Sequence, residues 1–327
     1  MSRIKSIAEL QALFSAQLDQ YSYPVDPLSL YEPMHYIMSI RGKRIRPVLL
    51  LAAYNLYKDD VDFAFEGGLA LEVFHNFTLL HDDIMDAAEI RRGQPTVHIK
   101  YDNNKAILTG DVMMIYAYQL LEKYGESYLS LCKVFTQTSR EVCEGQSMDM
   151  EFETTDNVTI SDYLKMIEYK TSVLIAAALK MGGILAGASQ KDLKHLYEFG
   201  KNLGIAFQIQ DDLLDTFGTE EQLGKKIGGD IEQKKKTYLY LKSLELLSES
   251  QANRLRSIFL DQHLVMDDKL ITEVKELLRI SHVKVHAEEL KLVYQQLALS
   301  HLATIQVSEE QKIPLKDLAN SLLNRTV

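Results

Sequence analysis

Residues 69–86 read LALEVFHNFTLLHDDIMD. Apolar side chains at 69, 73, 77 and 80 fall on one helical face, 70 and 74 widen it, and the run ends on three aspartates. This is the period of a helix laid against a core. Outward from it, the same pattern covers 105–123, 127–153, 161–187, 190–216, 237–262, 267–299 and 307–324. No period-2 run of useful length appears. Of the six prolines, none lies between Thr96 and Ile313, whereas a β-rich chain needs turn residues at short intervals. Two loops interrupt the pattern: Ala87 to His98, with Arg91-Arg92-Gly93 and Pro95, and the glycine- and lysine-rich Gly218 to Lys236. The expectation is one all-α domain over residues 1–327, a bundle of about ten to thirteen helices.

Composition bounds the function. Apolar residues make up 46% and charged residues 25% of the 327, as in an ordinary globular chain. Acidic residues outnumber basic ones, 46 to 36, for a net charge of −10, which argues against nucleic acid as the partner. The same sum argues at first against any anionic substrate. Val173 to Ala188 is the most apolar stretch, too short for a bilayer and broken by Lys180 and Gly182-Gly183, so it reads as a buried helix and no transmembrane segment is expected. Met1 to Leu10 has no signal-peptide pattern. Cys132 and Cys143 suit reduced thiols in a cytoplasmic protein.

Adjacent aspartates occur at 59–60, 82–83, 211–212 and 267–268. Only two of the pairs continue to a third aspartate at the fifth position: Asp82-Asp83-Ile84-Met85-Asp86 and Asp211-Asp212-Leu213-Leu214-Asp215. Each follows an apolar helix, and the i, i+4 spacing puts Asp82 over Asp86 and Asp211 over Asp215. Carboxylates stacked in this way repel one another, and a hard divalent cation with oxygen ligands removes the repulsion. The pairs at 59 and 267 lie in polar surroundings and read as solvated turns or helix ends. Cations cluster nearby: Gly42-Lys43-Arg44-Ile45-Arg46-Pro47, Arg91-Arg92-Gly93, Lys225-Lys226 and Lys234-Lys235-Lys236 around Asp230. Guanidinium and ammonium groups beside a carboxylate–metal site are the equipment for clamping a diphosphate.

In order and spacing, these segments resemble the trans-isoprenyl diphosphate synthases, or polyprenyl synthetases. The likeness runs through Gly42 to Pro47, Glu72 to Gly93, Gly110-Asp111, Gly145-Gln146, Lys170-Thr171, Phe207 to Asp215 and Gly224 to Thr237. It implies an isoprenoid-synthase-type helical bundle around a central cleft, and the head-to-tail condensation of an allylic diphosphate with isopentenyl diphosphate. It implies Mg²⁺, three ions per active site, held by Asp82, Asp86, Asp211 and Asp215. Asp83, Asp212 and Lys170 join those aspartates as the implied catalytic set. Arg91, Lys170, Thr171, Gln208, Lys225 and Lys235 are implied for the allylic diphosphate, and Lys43, Arg46, His75 and Arg92 for isopentenyl diphosphate. A homodimer is also implied.

Phe77 lies five residues before Asp82, about 7.5 Å along a helix, and Phe74 about 12 Å. With Thr78 they are expected to form the floor that limits chain growth. Position 77 is small in the long-chain synthases, position 78 is aromatic in animal and fungal farnesyl synthases, and bacterial farnesyl enzymes insert two residues into the first motif. The pattern here most resembles geranylgeranyl diphosphate synthases (C20), with farnesyl diphosphate synthase (C15) as the alternative. A class I terpene cyclase has one aspartate motif too few for this sequence, and a metal phosphohydrolase built on His81-Asp82 leaves the second motif unexplained. A regulatory subunit is expected to lose a motif, and both are intact. Related chains often end on a basic pair; only Arg325 stands there here.

Overall fold

A computed structural model describes residues 4–219, 227–261 and 263–323. Nearly all regular structure in them is helical, as the periodicity requires. The chain forms two compact units, Met1–Thr136 with Ala177–Leu196 and Gln306–Leu315, and Gln137–Ala176 with Tyr197–Ile305 and Lys316–Val327.

The first unit is built from α1 (Ile7–Gln20), α2 (Leu28–Ser39), α3 (Ile45–Asn55), α4 (Phe65–Met85), a single turn α5 (Val97–Lys100) and α6 (Asn103–Leu121). The Ser6–Glu9 capping box starts α1. Helix α4 packs between α3 and α6 and buries Leu69, Val73, Phe74 and Leu80 almost completely. It ends in a left-handed cap: Ala87 has φ 49°, and the Ala88 amide donates to the Asp83 carbonyl. The expected loop after it holds a short hairpin, Ile90–Arg91 (β1) with Gln94–Pro95 (β2). Arg92 and Gly93 have positive φ, 51° and 75°, as a two-residue turn that follows strand twist requires.

The second unit takes α7 (Tyr128–Thr154) from residue 137 on, α8 (Ile160–Ile167), the start of α9 (Val173–Ala186) and most of α10 (Gln190–Phe217). A single turn, α11 (Gly229–Glu232), then leads to α12 (Tyr238–Leu246), α13 (Glu249–Leu260), α14 (Asp268–Ile280) and α15 (Val283–Thr304), and α16 (Glu309–Leu323) enters this unit only from Lys316 on. Its core gathers Tyr163, Ile205, Ile209, Leu213, Leu239, Ile258, Val274 and Val283. Two expected helices are each divided. Residues 237–262 break where Ser248 and Gln251 form a capping box, and 267–299 break where His282 turns left-handed at φ 55°. Helices α8 and α9 run together through a π-turn, Glu168–Ser172. The continuous helix Ile160–Ala186 is long and apolar enough to cross a membrane, but 72% of its apolar window is buried. It is a core helix, as its sequence suggested. Neither Cys132 nor Cys143 forms a disulfide among the described residues.

Candidate active site

In the first unit, α4 carries Asp82, Asp83 and Asp86 on its last turns. Asp83 is 2% exposed and takes a bidentate contact from Arg91, whose Nε lies 2.8 and 2.9 Å from the two carboxylate oxygens. Asp82 is half-buried, and Asp86, the C-cap residue, is exposed. The hairpin thus spends Arg91 on the middle aspartate, and the outer two lie one turn apart at the same helix end.

Two to three turns earlier, α4 meets a group of guanidinium side chains. Arg44 is buried in an ion pair with Glu72 and donates to the Met38 and Ile40 carbonyls, 2.8 and 3.0 Å. It therefore braces the Ile40–Arg44 segment rather than facing solvent. Arg46 Nη1 approaches His75 Nε2 at 3.1 Å. Guanidinium has no acceptor, so the histidine nitrogen accepts, and the ring is neutral with its proton on Nδ1. Burial and four surrounding arginines, Arg46 first, hold the His75 pKa well below its ordinary value. Burial and the nearby Arg92 bring the Arg46 guanidinium down to about 10, still charged at neutral pH. Arg46 Nε is buried with no hydrogen-bond partner among the described residues. Arg92 reaches back to Gly42, where a Cβ would stand 2.3 Å from its Nη1. Lys43 is exposed beside it. Concentrated cations with a buried unpaired donor call for a polyanion.

In the second unit, the π-turn presents Lys170 and Thr171. Its extra residue needs room. A Cβ at Gly145 on α7 would stand 2.3 Å from the Lys170 amide nitrogen, and one at Gly204 on α10 would stand 2.7 Å from Ser172 Cα. Two glycines let two helices close on the widened turn. Lys170 Nζ donates to Asp149 at 2.6 Å, and Lys235 Nζ stands 3.7 Å from the same oxygen. Burial alone would raise the Asp149 pKa, but the two ammonium groups hold it below the usual carboxylate range. Thr171 donates to Gln208 Oε1 at 3.2 Å, Gln208 Nε2 to Asp212 at 3.0 Å, and Tyr163 Oη to Asp212 at 2.6 Å. These side chains line one cavity of about 110 Å³. Gln146, next to Gly145, has both amide atoms buried and without partners.

The second aspartate motif is deployed differently from the first. Asp211 is half-buried. Burial pushes the Asp212 carboxyl well above the usual range, and the like charges of Asp230 and Asp211 add to the push. Asp215 is 1% exposed and receives the Gly229 and Asp230 amides on its two side-chain oxygens, at 3.2 and 3.0 Å. Its carbonyl takes the Gly228 amide at 2.7 Å. Asp215, expected among the cation ligands, also anchors α11. Such crowded carboxylates fit a hard divalent cation with oxygen ligands. Among the described residues, however, no three carboxylate, imidazole or thiol groups already form a metal site. The oxygens of a diphosphate would complete the coordination.

A profile of the polyprenyl synthetase family matches residues 27–278. The chain belongs to that family. This polyprenyl synthetase is therefore a trans-prenyltransferase. It is 36% identical over 303 residues to geranylgeranyl diphosphate synthase of Saccharolobus solfataricus, covering 91% of this chain and 90% of that one. With the geranylgeranyl diphosphate synthase of Methanosarcina mazei it shares 40% over 248 residues, 75% of this chain and 76% of the other. A crystal structure of a geranylgeranyl pyrophosphate synthase superposes with a TM-score of 0.92 at 43% identity, covering 99% of this chain and all of the other.

In this polyprenyl synthetase, Arg46, His75 and Arg92 come together in the first unit, with Lys43 exposed on the same segment as Arg46, and Lys170, Thr171, Gln208 and Lys235 come together in the second. Lys225, Lys226 and Arg325 lie outside the described residues. Phe74 and Phe77 are buried on α4, with ring centres 5.4 Å apart. Phe77 also packs on His81 at 4.8 Å, and Phe74 on Phe135 at 5.1 Å. Thr78 is half-buried, with its hydroxyl turned back to the His75 carbonyl. Sequence reasoning missed Asp149 and Tyr163. Each sits singly on an amphipathic helix, and each partner lies far along the chain, 21 residues away at Lys170 and 49 at Asp212. The control pairs behave as expected: Asp267 caps α14, and Asp59-Asp60 lie in a loop.

Proposed function

We propose that this prenyltransferase condenses dimethylallyl, geranyl or farnesyl diphosphate with isopentenyl diphosphate and stops at geranylgeranyl diphosphate, C20. The observation that carries the reading is the buried, unpaired Arg46 Nε among Arg92, Lys43 and a neutral His75. That group suits the diphosphate of the isopentenyl substrate, His75 adding a donor without adding charge. Lys170 and Lys235, with Thr171 and Gln208, suit the allylic diphosphate. Asp82, Asp86 and Asp211 are the proposed Mg²⁺ ligands, and Mg²⁺ bound with substrate would neutralise charge on the leaving pyrophosphate.

In the reaction the allylic C1–O bond breaks and its electron pair leaves with pyrophosphate. Lys170 and Lys235 hold the departing oxygens. Thr171 and Gln208 turn polar oxygens toward the cation, and the apolar helix faces keep water from it. The isopentenyl double bond attacks C1, and the proton then lost goes to the departing pyrophosphate, the base that the cleavage itself supplies. Phe77 and Phe74 support the C20 limit, being packed aromatics behind the first motif. A homodimer acting in the cytoplasm completes the proposal, and Leu108 and Ile115 support it as an apolar stripe on α6, 58% and 55% exposed.

Incubation of the purified enzyme with isopentenyl diphosphate and each primer, read by mass spectrometry, tests the reading. C20 is expected from all three. A C15 end product favours farnesyl synthesis, and hydrocarbon or alcohol from geranylgeranyl diphosphate alone overturns the reading in favour of a cyclase.

A further inference from the structure

Lys234, Lys235 and Lys236 read in the sequence as one phosphate-binding cluster, but their ammonium groups go three ways. Lys236 is 5% exposed, and its Nζ donates to the Phe152, Glu153 and Thr155 carbonyls at 2.7, 3.3 and 2.7 Å. These carbonyls belong to the C-terminal end of α7, where backbone acceptors lack helical partners and the helix dipole is negative. Lys234 is left-handed at φ 53°, and its Nζ donates to the Asp261 and Leu264 carbonyls at 2.5 and 2.8 Å. Only Lys235 reaches Asp149, and through it Lys170.

We propose that Lys234 and Lys236 are positioning residues, two tethers that pin the loop on either side of Lys235 and set its distance from Lys170. An ammonium group has three donors and no acceptor, so buried carbonyl clusters fix it without a counter-ion. Asp149 lies just over one helical turn before the carbonyls that Lys236 grips. One tether therefore locks both members of the Lys235–Asp149 contact. Lys234 locks the other side of the loop to the α13–α14 connection. Neither tether takes a diphosphate oxygen itself. The inference rests on the assignment of Lys170 and Lys235 to the allylic diphosphate.

Steady-state kinetics of the full-length enzyme with geranyl and isopentenyl diphosphates test it. Lys236→Met is expected to raise the KM for geranyl diphosphate about tenfold, since misplacement of a clamp by a fraction of an ångström is enough. The KM for isopentenyl diphosphate should stay within about twofold. Lys236→Arg, which keeps charge and donors, should recover most of the loss. Lys236 also lines the cavity, so its charge is a second route to the same effect there; Lys234 does not line it. Lys234→Gly removes the second tether while relieving the left-handed backbone, so its thermal midpoint should hold while its geranyl KM rises. This variant keeps the test alive if Lys236→Met fails to fold. Both KM values moving together, or a geranyl KM unmoved in folded variants, defeats the inference alone. A wild-type enzyme that makes no prenyl product defeats the functional reading, and the tether role with it.

Discussion

The two aspartate motifs are alike in sequence and unlike in structure. The first ends its helix: a left-handed cap follows Asp86 at once and leaves that carboxylate exposed. The second lies inside its helix, which runs on to Phe217, so Asp215 is buried and takes three consecutive amides. Their middle aspartates differ as well. Asp83 is neutralised by a guanidinium, Asp212 only by a phenol and an amide. The same five-residue pattern therefore ends one helix on an exposed carboxylate and ties the last carboxylate of the other into a scaffold. Spacing alone presents the four candidate ligands as equivalent, and the surroundings distinguish Asp215 by the amides it holds.

Substitutions can break this comparison or sharpen it. Asp82→Ala and Asp211→Ala are both expected to lower kcat about a thousandfold in saturating Mg²⁺, measured with labelled isopentenyl diphosphate. A mild effect from either would remove that motif from the reaction. Asp86→Asn and Asp215→Asn should part company. The first raises the Mg²⁺ concentration for half-maximal rate about tenfold. The second leaves it nearly unchanged and lowers stability by about 1–3 kcal/mol in urea unfolding. Equal Mg²⁺ shifts would make the motifs equivalent after all.

Smaller effects separate the helices that lead into the motifs. Phe77→Ala should lengthen the product by one or more isoprene units, whereas Phe207→Ala, four residues before the second motif, should not. An unchanged product from an active Phe77→Ala enzyme would sink the floor. The least effect is expected at His75. Its folded ring stays neutral well below the ordinary 6.5, so its contribution to stability is complete above that pH. As pH falls, the unfolded ring takes a proton that the folded one refuses, and stability drops until the folded pKa is reached, by at most about 1.4 kcal/mol per pH unit. His75→Gln should flatten the urea midpoint between pH 7 and 5. A slope equal to the wild type would assign it to other groups.

Much of this was legible in the chain. The all-α class followed from periodicity and the missing prolines, and the aspartate and arginine motifs stood out by spacing. The breaks at Ser248 and His282 were hidden because a capping box and a left-handed histidine do not disturb hydrophobic period. Asp149 and Tyr163 were hidden because their significance lies in partners far along the sequence. The lysine run misled for the opposite reason: three adjacent ammonium groups look alike until backbone carbonyls claim two of them.

The net charge of −10 once spoke against a diphosphate. Sequence by itself determined which helices form and which residue types the reaction has at its disposal, because period and spacing are local properties. Tertiary structure decided what each charged group does, because the role of a charge depends on the partner and the burial it meets. Arg44, Arg91, Lys234 and Lys236 are held by carboxylates or carbonyls, and among the arginines of the described residues Arg46 alone keeps a buried donor without a partner.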